Sequence, residues 1–165
     1  MSAYNLPMPS LHVIYASTSG HTEYIAGELA AYMKQKHADY SVTVQRVEHA
    51  KPEDMLTADL LVLASSTWNT NNIEGQLNPH MYHFLMDLAK SIDLNQKKTA
   101  VIGLGDARYF YTCKAADHLE HFVRTHNGQL VEPTLRIINE PYGQEGKVTE
   151  WAETIVASFS SDTSA

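Results

Sequence analysis

The stretch YASTSGHTEYIA, residues 15–26, joins a predicted strand to a predicted helix. The strand, LHVIYA (11–16), is short, apolar and rich in β-branched and aromatic residues, as buried strands are. The helix that follows places apolar side chains at helical spacing over residues 21–37. The junction between them consists of Ser17, Thr18, Ser19, Gly20, His21 and Thr22, with no lysine or arginine. One or two hydroxyl groups are enough to cap a helix, so the larger number at this helix start calls for an explanation.

The rest of the chain repeats this alternation of short apolar runs and longer helical patterns. The predicted strands cover residues 11–16, 41–47, 59–64, 98–105 and 129–137, and the predicted helices cover residues 21–37, 79–91, 112–128 and 147–159. Pro133 places the last strand at an edge or a bulge, and Gly128 predicts a left-handed helix stop. The pattern predicts an α/β fold, a doubly wound five-stranded parallel sheet with helices on both faces.

Composition indicates one soluble domain over residues 11–160, between an N-terminal tail (1–10) and a C-terminal tail (161–165). The 165 residues are 44% hydrophobic and 19% charged, and the net charge of -7 argues against a nucleic-acid partner. Cys113 is the sole cysteine, which fits a reducing compartment. No apolar run is long enough to span a membrane, and the first residues do not resemble a signal peptide, so we expect a cytoplasmic protein.

The first loop, residues 17–22, predicts a phosphate site. A helix N-terminus carries partial positive charge and unpaired N–H groups, and nearby hydroxyls add hydrogen bonds without adding a cation. The GxxxxGK[ST] pattern of a P-loop does not occur in the sequence. The alternative is an ordinary N-cap turn, for which one or two hydroxyls suffice.

Two later loops follow strands that end at the same sheet edge, where ligands of such sheets bind. SSTWNTNNIEGQ (65–76) is predicted as a polar loop that carries Trp68, and GLGDARYFYTCKA (103–115) carries two glycines and the aromatic residues Tyr109, Phe110 and Tyr111. The alternatives are a partly buried surface tryptophan and a core aromatic cluster. Together with the first loop, these rings predict a phosphorylated, flat aromatic ligand.

These motifs resemble those of the flavodoxins. VIYASTSGHTEYIAGEL is similar to the phosphate loop of that family, SSTW to its first flavin loop and GLGDxxYxYxC to its second. LRIINEP and the later WA resemble the end of short-chain members, and the segment between Gln129 and Trp151 has no room for the long-chain insertion. The resemblance covers residues 11–159 and implies a flavodoxin-like sheet with strand order 2-1-3-4-5.

The resemblance implies FMN as the cofactor, with its phosphate in the first loop and its ring between Trp68 and Tyr109. It assigns cofactor contacts to Ser17, Thr18, Ser19, Gly20, His21, Thr22, Ser65, Ser66, Thr67, Trp68, Asn69, Thr70, Gly103, Leu104, Gly105, Asp106, Tyr109, Tyr111 and Cys113. It assigns no catalytic residue. The nine histidines include pairs at i,i+3 spacing, but no third ligand accompanies them, so no metal is expected.

Three departures from the family pattern carry expectations of their own. Asn69 follows the tryptophan where relatives often have glycine, which predicts weaker stabilisation of the neutral semiquinone, because glycine changes conformation more easily. Glu74 is the sole acid in residues 69–78, which predicts a less negative second reduction potential than in strongly acidic relatives. His21 replaces an asparagine common in relatives and offers either a proton-dependent phosphate contact or only its backbone N–H.

By this resemblance the protein is an electron-transfer protein rather than an enzyme. It would carry single electrons at low potential between a reductase and an acceptor, docking transiently under charge guidance as a monomer. The alternative is a flavodoxin-like NAD(P)H-dependent flavin or quinone reductase, against which the compact chain counts. A receiver domain is disfavoured because strands one and three do not end in acids. A role in the maturation of another enzyme stays open.

Overall fold

The computed structural model describes residues 8–163. The strands are β1 (Ser10–Ala16), β2 (Ser41–Arg46), β3 (Leu60–Thr70), β4 (Ile73–Leu77), β5 (Lys98–Gly105), β6 (Gln129–Leu130) and β7 (Leu135–Ile138). The helices are α1 (His21–Lys36), α2 (Pro79–His83), α3 (Lys114–Thr125) and α4 (Glu145–Thr163), and α2 continues as a π-helical turn over Phe84–Leu88. Two short 3-10 helices, Val47–His49 and Pro52–Leu56, connect β2 to β3.

The parallel sheet has the order β2-β1-β3-β5-β6, and β7 continues the last edge beside β5. This is the predicted order 2-1-3-4-5, with β5 as the fourth strand and β6 and β7 together as the fifth. The predicted fold is therefore confirmed. The predicted strand 129–137 is divided around Pro133, which supplies no N–H to the ladder and lies at the edge, as expected.

The central strands are buried on both faces because helices cover the sheet on each side. The residues from Leu60 to Ala64 are all 0% exposed, and they alternate between two apolar clusters. Val62 packs in the cluster that includes α1 and α4, whereas Leu63 packs in the cluster that includes α2 and α3. This alternation follows from the two-residue period of a strand. The parallel pairing of β1, β3 and β5 then brings the carboxyl ends of these strands to the same edge of the sheet.

The segment predicted as a loop over residues 65–76 is a β-hairpin. β3 continues to Thr70, reverses through Asn71 and Asn72 with φ of 55° and 62°, and returns as the antiparallel β4. Two consecutive positive φ values define a two-residue hairpin turn that asparagine tolerates. The pairing register shifts between Trp68 and Thr70, at Asn69. The polar side chains of this segment predict a loop, but its backbone forms antiparallel pairs between β3 and β4.

Two helix ends also differ from the prediction. α3 ends at Thr125, and the left-handed residue after it is Asn127 (φ 63°) rather than Gly128. Gly128 is required for space instead, because a Cβ there would lie 2.8 Å from the Leu94 Cδ1 atom. α4 runs to Thr163, into the segment 161–165 that the sequence predicts as a tail. The tail predicted over residues 1–10 lies mostly outside the described residues.

Candidate functional site

A cavity of about 670 Å³ opens at the carboxyl edge of the sheet. It is formed by the ends of β1, β3, β5 and β7 and by the hairpin. Of the predicted site residues, those that line it are Ser19, His21, Ser66, Thr67, Trp68, Asn69, Leu104, Gly105, Asp106, Tyr109 and Tyr111. The structure thus brings all three predicted loops to one place. A cavity of this size suits a ligand as large as a nucleotide.

The first loop leaves the start of α1 open. Gly20 precedes the helix with φ of 94°, a left-handed conformation that glycine adopts without strain. The Ser17 hydroxyl accepts a hydrogen bond from the Gly20 N–H at 3.1 Å, so it closes the loop itself. Across residues 8–163 no side chain caps α1 by a hydrogen bond. The N-cap alternative is therefore wrong, and the first N–H groups of the helix remain available for an anion.

Thr22 lies in the first turn of α1 with its side chain buried. The residue is 1% exposed, and its hydroxyl oxygen has no hydrogen-bond partner within the described part of the chain. A buried hydroxyl without a partner costs about 1–3 kcal/mol, so native structures rarely keep one without a reason. Beside an uncapped helix start, this orphaned hydroxyl fits a phosphate group.

Hydroxyls of the first and second loops are bonded within the protein, and one of these bonds ties the first loop to Asn78, just after the hairpin. The Thr18 hydroxyl accepts a hydrogen bond from the Asn78 side-chain amide at 2.9 Å, and the Ser65 hydroxyl accepts one from the Asn78 backbone N–H at 3.0 Å. The Thr70 hydroxyl donates to the Leu77 carbonyl at 2.7 Å inside the hairpin. Ser17, Thr18, Gly20, Thr22, Ser65 and Thr70 are predicted site residues that shape the cavity from behind its lining.

Trp68 is held in a fixed orientation. Its indole N–H donates to the Ser66 hydroxyl at 2.6 Å, and the side chain is half-buried in the cavity wall. Neighbouring Thr67 donates to the Leu104 carbonyl at 2.8 Å and accepts from the Ala115 N–H at 3.0 Å. These bonds lock the hairpin onto β5 and α3. The arrangement presents one aromatic face whose position is set before any ligand binds.

The third loop, residues 106–112, carries the exposed aromatic rings. Tyr109 is 67% exposed and Phe110 is 88% exposed, so the alternative of a core aromatic cluster is wrong. The loop is anchored at its base, where the Arg108 side chain binds the Asp106 carboxylate and the Ala107 N–H donates to the Asn139 side chain at 2.9 Å. The hydrogen bonds from Arg108, first from its side chain and then from its backbone, lower the pKa of Asp106 to about 2.

Two further predicted site residues, Gly103 and Cys113, do not line the cavity either. Cys113 is 3% exposed beneath the third loop, with its sulfur against the Gly103 and Ile137 carbonyls, and burial raises the pKa of its thiol. Gly103 faces α3, where a Cβ would lie 2.5 Å from the Ala116 Cβ. Both residues serve packing. Gly105, which does line the cavity, is required for the same reason, because a Cβ there would lie 2.2 Å from the Cys113 nitrogen.

The sequence reasoning missed five residues that line the cavity: Glu74, Gly75, Arg108, Asn139 and Glu140. Asn139 and Glu140 follow the fifth strand, which ends at the same edge and could have been included on that ground. Asn139 has φ of 69°, and its N–H donates to the Gly105 carbonyl at 2.8 Å. The lining contains three carboxylates, those of Glu74, Asp106 and Glu140, and one guanidinium, that of Arg108. The charge around the cavity is therefore mildly acidic.

The fold and the cavity together define a doubly wound α/β protein with a site for a phosphorylated aromatic ligand at its switch point. The chain matches the flavodoxin family over residues 13–151. It is 28% identical to a flavodoxin of Maridesulfovibrio salexigens over 87% of this chain and 94% of the relative. The crystal structure of oxidised flavodoxin 2 from Bacillus cereus is 30% identical, covers 90% of this chain and 99% of its own, and superposes with a TM-score of 0.81.

The chain belongs to the flavodoxin family, and its compact form is that of the short-chain members. As a flavodoxin it is a flavoprotein that binds FMN and carries electrons. A further match is instructive because of its size: 73% of this chain is 28% identical to 6% of the pyruvate dehydrogenase [NADP(+)] of Euglena gracilis. Within residues 8–163 no helix is long and apolar enough to cross a membrane, and no group of three potential metal ligands occurs.

Proposed function

We propose that the protein carries single electrons at low potential between a reductase and an acceptor protein. The observation that carries this proposal is the cavity, whose lining joins Ser19 and His21 at the uncapped start of α1 to the aromatic side chains Trp68 and Tyr109. The orphaned Thr22 hydroxyl lies in the same helix start. Such a site holds a phosphate at one end and a flat ring at the other. FMN bound there supplies reversible one-electron chemistry.

The residues of this chain divide the work of holding FMN. The first loop, residues 17–22, would bind the phosphate through backbone N–H groups and hydroxyls. Trp68 and Tyr109 would flank the ring, because both line the cavity from separate loops. Backbone groups of Ser66, Thr67 and Asn69, and of the segment 104–106, would contact the ribityl chain and the ring edge. Ser65, Thr70, Gly103 and Cys113 would act on FMN indirectly, because they hold the loops in place.

The observed hairpin sharpens the proposal for Asn69. This residue lies at the register shift of the hairpin and is exposed, so its peptide is not held by a regular ladder. A loosely held peptide beside the ring can reorient when the ring changes its protonation. Asparagine resists positive φ more than glycine does, so we expect this reorientation to contribute less here than in relatives with glycine.

Charge around the ring bears on the reduction potential. Three carboxylates line the cavity, but Asp106 is bound by Arg108, and Glu74 and Glu140 are exposed. Each screened or paired acid repels an added electron less than a buried acid would. We therefore propose a second reduction potential that is less negative than in strongly acidic relatives.

An electron carrier is favoured over a quinone reductase by the compactness of the chain. It covers 94% of the flavodoxin of Maridesulfovibrio salexigens and 99% of that of Bacillus cereus, so no large inserted segment is left to build a substrate pocket. The Euglena gracilis match shows a similar unit within a much larger redox enzyme. The net charge of -7 favours partners with basic docking faces, met transiently by a monomer in the cytoplasm.

The test is an anaerobic reductive titration of the protein with bound FMN, followed by visible absorption and repeated with NADPH as the only reductant. We expect a chemical reductant to produce two resolved one-electron steps and NADPH alone to reduce the flavin very slowly. A single two-electron step with rapid reduction by NADPH would establish the reductase instead. Failure to bind FMN would overturn the assignment of the cavity.

A further inference from the structure

The first loop contains no cation, but Arg46 lies directly behind it. Arg46 ends β2 and pairs in register with Tyr15 near the end of β1. Its NH2 group donates to the carbonyl oxygen of Ser17 at 2.8 Å, and its guanidinium lies 5.5 Å from the centre of the Tyr15 ring. A residue far from residues 17–22 in sequence thus fastens the first residue of that loop. No pattern within the loop itself could have indicated it.

All three guanidinium nitrogens of Arg46 have partners. NH1 donates to Glu23 at 2.9 Å, NH2 donates to Ser17, and Nε donates to Glu48 at 3.3 Å. The side chain is 33% exposed, so these contacts are only partly screened by water. The planar fork of arginine can meet several acceptors at fixed angles, which the point charge of a lysine cannot do. The contact is therefore directional as well as electrostatic.

Glu23 explains why a cation is required at this place. It lies in the first turn of α1, one residue after Thr22, where a carboxylate favours the helix but repels a bound phosphate. Its Oε2 atom accepts hydrogen bonds from Arg46 and, at 3.0 Å, from the Tyr15 hydroxyl. The Arg46 guanidinium and the Tyr15 hydroxyl thus offset the charge of this carboxylate. Without them, an acid would stand unopposed beside an anion site.

The bond to Ser17 also sets the direction of a peptide group. In a planar trans peptide the C=O and the following N–H point in opposite directions. Because the Ser17 oxygen is fixed on Arg46, the N–H of Thr18 is turned the opposite way. A loop that binds an anion needs its N–H groups inward and its carbonyl oxygens outward. By binding the Ser17 carbonyl oxygen, Arg46 holds the peptide between Ser17 and Thr18 in this orientation.

We propose that Arg46 is a positioning residue that makes the first loop selective for phosphate, by fixing the Ser17 carbonyl and by neutralising Glu23. The proposal rests on the FMN-binding function proposed above. It assigns to β2 a part in cofactor recognition, although no residue of that strand lines the cavity. The ligand feature that Arg46 recognises indirectly is the charge of the phosphate rather than the ring.

The experiment compares the affinities of the apoprotein for FMN and for riboflavin, which lacks the phosphate. The variants are Arg46→Gln, Arg46→Lys, Glu23→Gln and the double variant Arg46→Gln/Glu23→Gln. A control, Arg124→Gln, breaks a similar surface pair with Glu120 at the far end of α3. Titrations at low and high salt show how much of each effect is electrostatic, and circular dichroism reports folding.

For Arg46→Gln we expect the dissociation constant for FMN to rise about tenfold, as the loss of one charge-assisted interaction would produce. The riboflavin constant should stay within about twofold, and Arg46→Lys should lie between wild type and Arg46→Gln. The double variant should recover part of the lost FMN affinity, because the unopposed carboxylate is gone while the bond to Ser17 is still missing. Arg124→Gln should bind both ligands as wild type does.

Other outcomes overturn the proposal. Equal losses for FMN and riboflavin would mean that Arg46 supports the fold of the whole site. A double variant as weak as Arg46→Gln would eliminate the neutralisation of Glu23. If Arg46→Gln does not fold, Arg46→Lys and Glu23→Gln still test the proposal. An FMN affinity equal to that of wild type in either of these variants would contradict it. If wild type does not bind FMN at all, the proposed function fails, which is a separate result.

Discussion

The first loop and the third loop meet at one cavity but are built in opposite ways. In the first loop, residues 17–22, Ser17 is bound to Gly20 and Arg46 and Thr18 is bound to Asn78, so that its backbone is fixed. The third loop, residues 106–112, is anchored only at its base and turns its rings outward, with Phe110 88% exposed. One region is fixed and polar, and the other is exposed and aromatic.

This difference separates two tasks. A loop whose conformation is fixed in advance loses little freedom when a ligand binds, so the polar end is suited to supply affinity. Exposed rings at the open end gain contacts only when a flat ligand or a partner covers them. We therefore expect changes in the first loop to distinguish FMN from riboflavin, and changes at the aromatic end to affect both ligands alike.

Thr22→Val tests the polar end most severely. The substitution keeps the shape of the side chain but removes the buried orphaned hydroxyl. We expect FMN to bind about 30-fold more weakly, as expected when a hydrogen bond to a charged group is lost, and riboflavin to bind within about twofold of wild type. Calorimetric titration of the apoprotein with both ligands provides the measurement.

The stability of the apoprotein gives an independent check on Thr22. Because the wild-type hydroxyl is buried without a partner among residues 8–163, valine should raise the free energy of unfolding by up to about 1 kcal/mol. Thr22→Ser, which keeps the hydroxyl, should retain most of the FMN affinity. A valine variant that destabilises the apoprotein and leaves FMN binding intact would contradict the comparison.

Trp68→Ala tests the aromatic end. Loss of the indole ring removes a stacking surface that its hydrogen bond to Ser66 holds in place. We expect FMN and riboflavin both to bind about tenfold more weakly, since ring contact is common to the two ligands. Quenching of flavin fluorescence on binding measures both constants. Trp68→Phe should lose less affinity for both ligands. If Trp68→Ala weakened the binding of FMN but not of riboflavin, the polar and aromatic ends of the cavity would not act separately.

The sequence predicted the parts of this site that depend on local chemistry. The hydroxyl loop, Trp68 and Tyr109 were identifiable because unusual residue types follow buried strands, and the sheet order followed from the family resemblance. The boundary between strand and loop was not identifiable at Ser65, because serine, threonine and asparagine favour loops on average. Here tertiary pairing with β4 overrides that preference.

Other parts depend on distance in the sequence and were out of reach. Arg46 binds Ser17 and Glu23, which lie more than twenty residues before it and which no sequence pattern relates to it. Cys113 stands beside the third loop in sequence, but its αL backbone (φ 57°) turns the side chain into the packing under that loop. Adjacency to a binding loop is therefore a poor guide to the direction of a side chain.

Gly75→Ala tests the support of the aromatic end. Gly75 has φ of +71°, and an added Cβ would lie 2.5 Å from the Tyr111 Cβ, so both the backbone and Tyr111 must shift. We expect the free energy of unfolding to fall by about 1 kcal/mol or more. Gly27→Ala is the control, because Gly27 lies inside α1 with nothing within 4 Å of an added Cβ. Its free energy of unfolding, measured with urea, should rise by about 0.5–1 kcal/mol. Equal free energies of unfolding for Gly75→Ala and Gly27→Ala would contradict the prediction.

The smallest effect concerns the base of the third loop. Arg108 lowers the pKa of Asp106 from 3.8 to about 2 in the folded protein. A depressed pKa contributes stability above the unfolded value, and that contribution disappears as the pH falls through about 2. A carboxyl carbon NMR titration of the folded protein should therefore place Asp106 near the lower value, and Arg108→Gln should return it toward the ordinary one. An unchanged midpoint in that variant would mean that Arg108 does not hold the loop, and that the aromatic end is even less fixed than its contacts indicate.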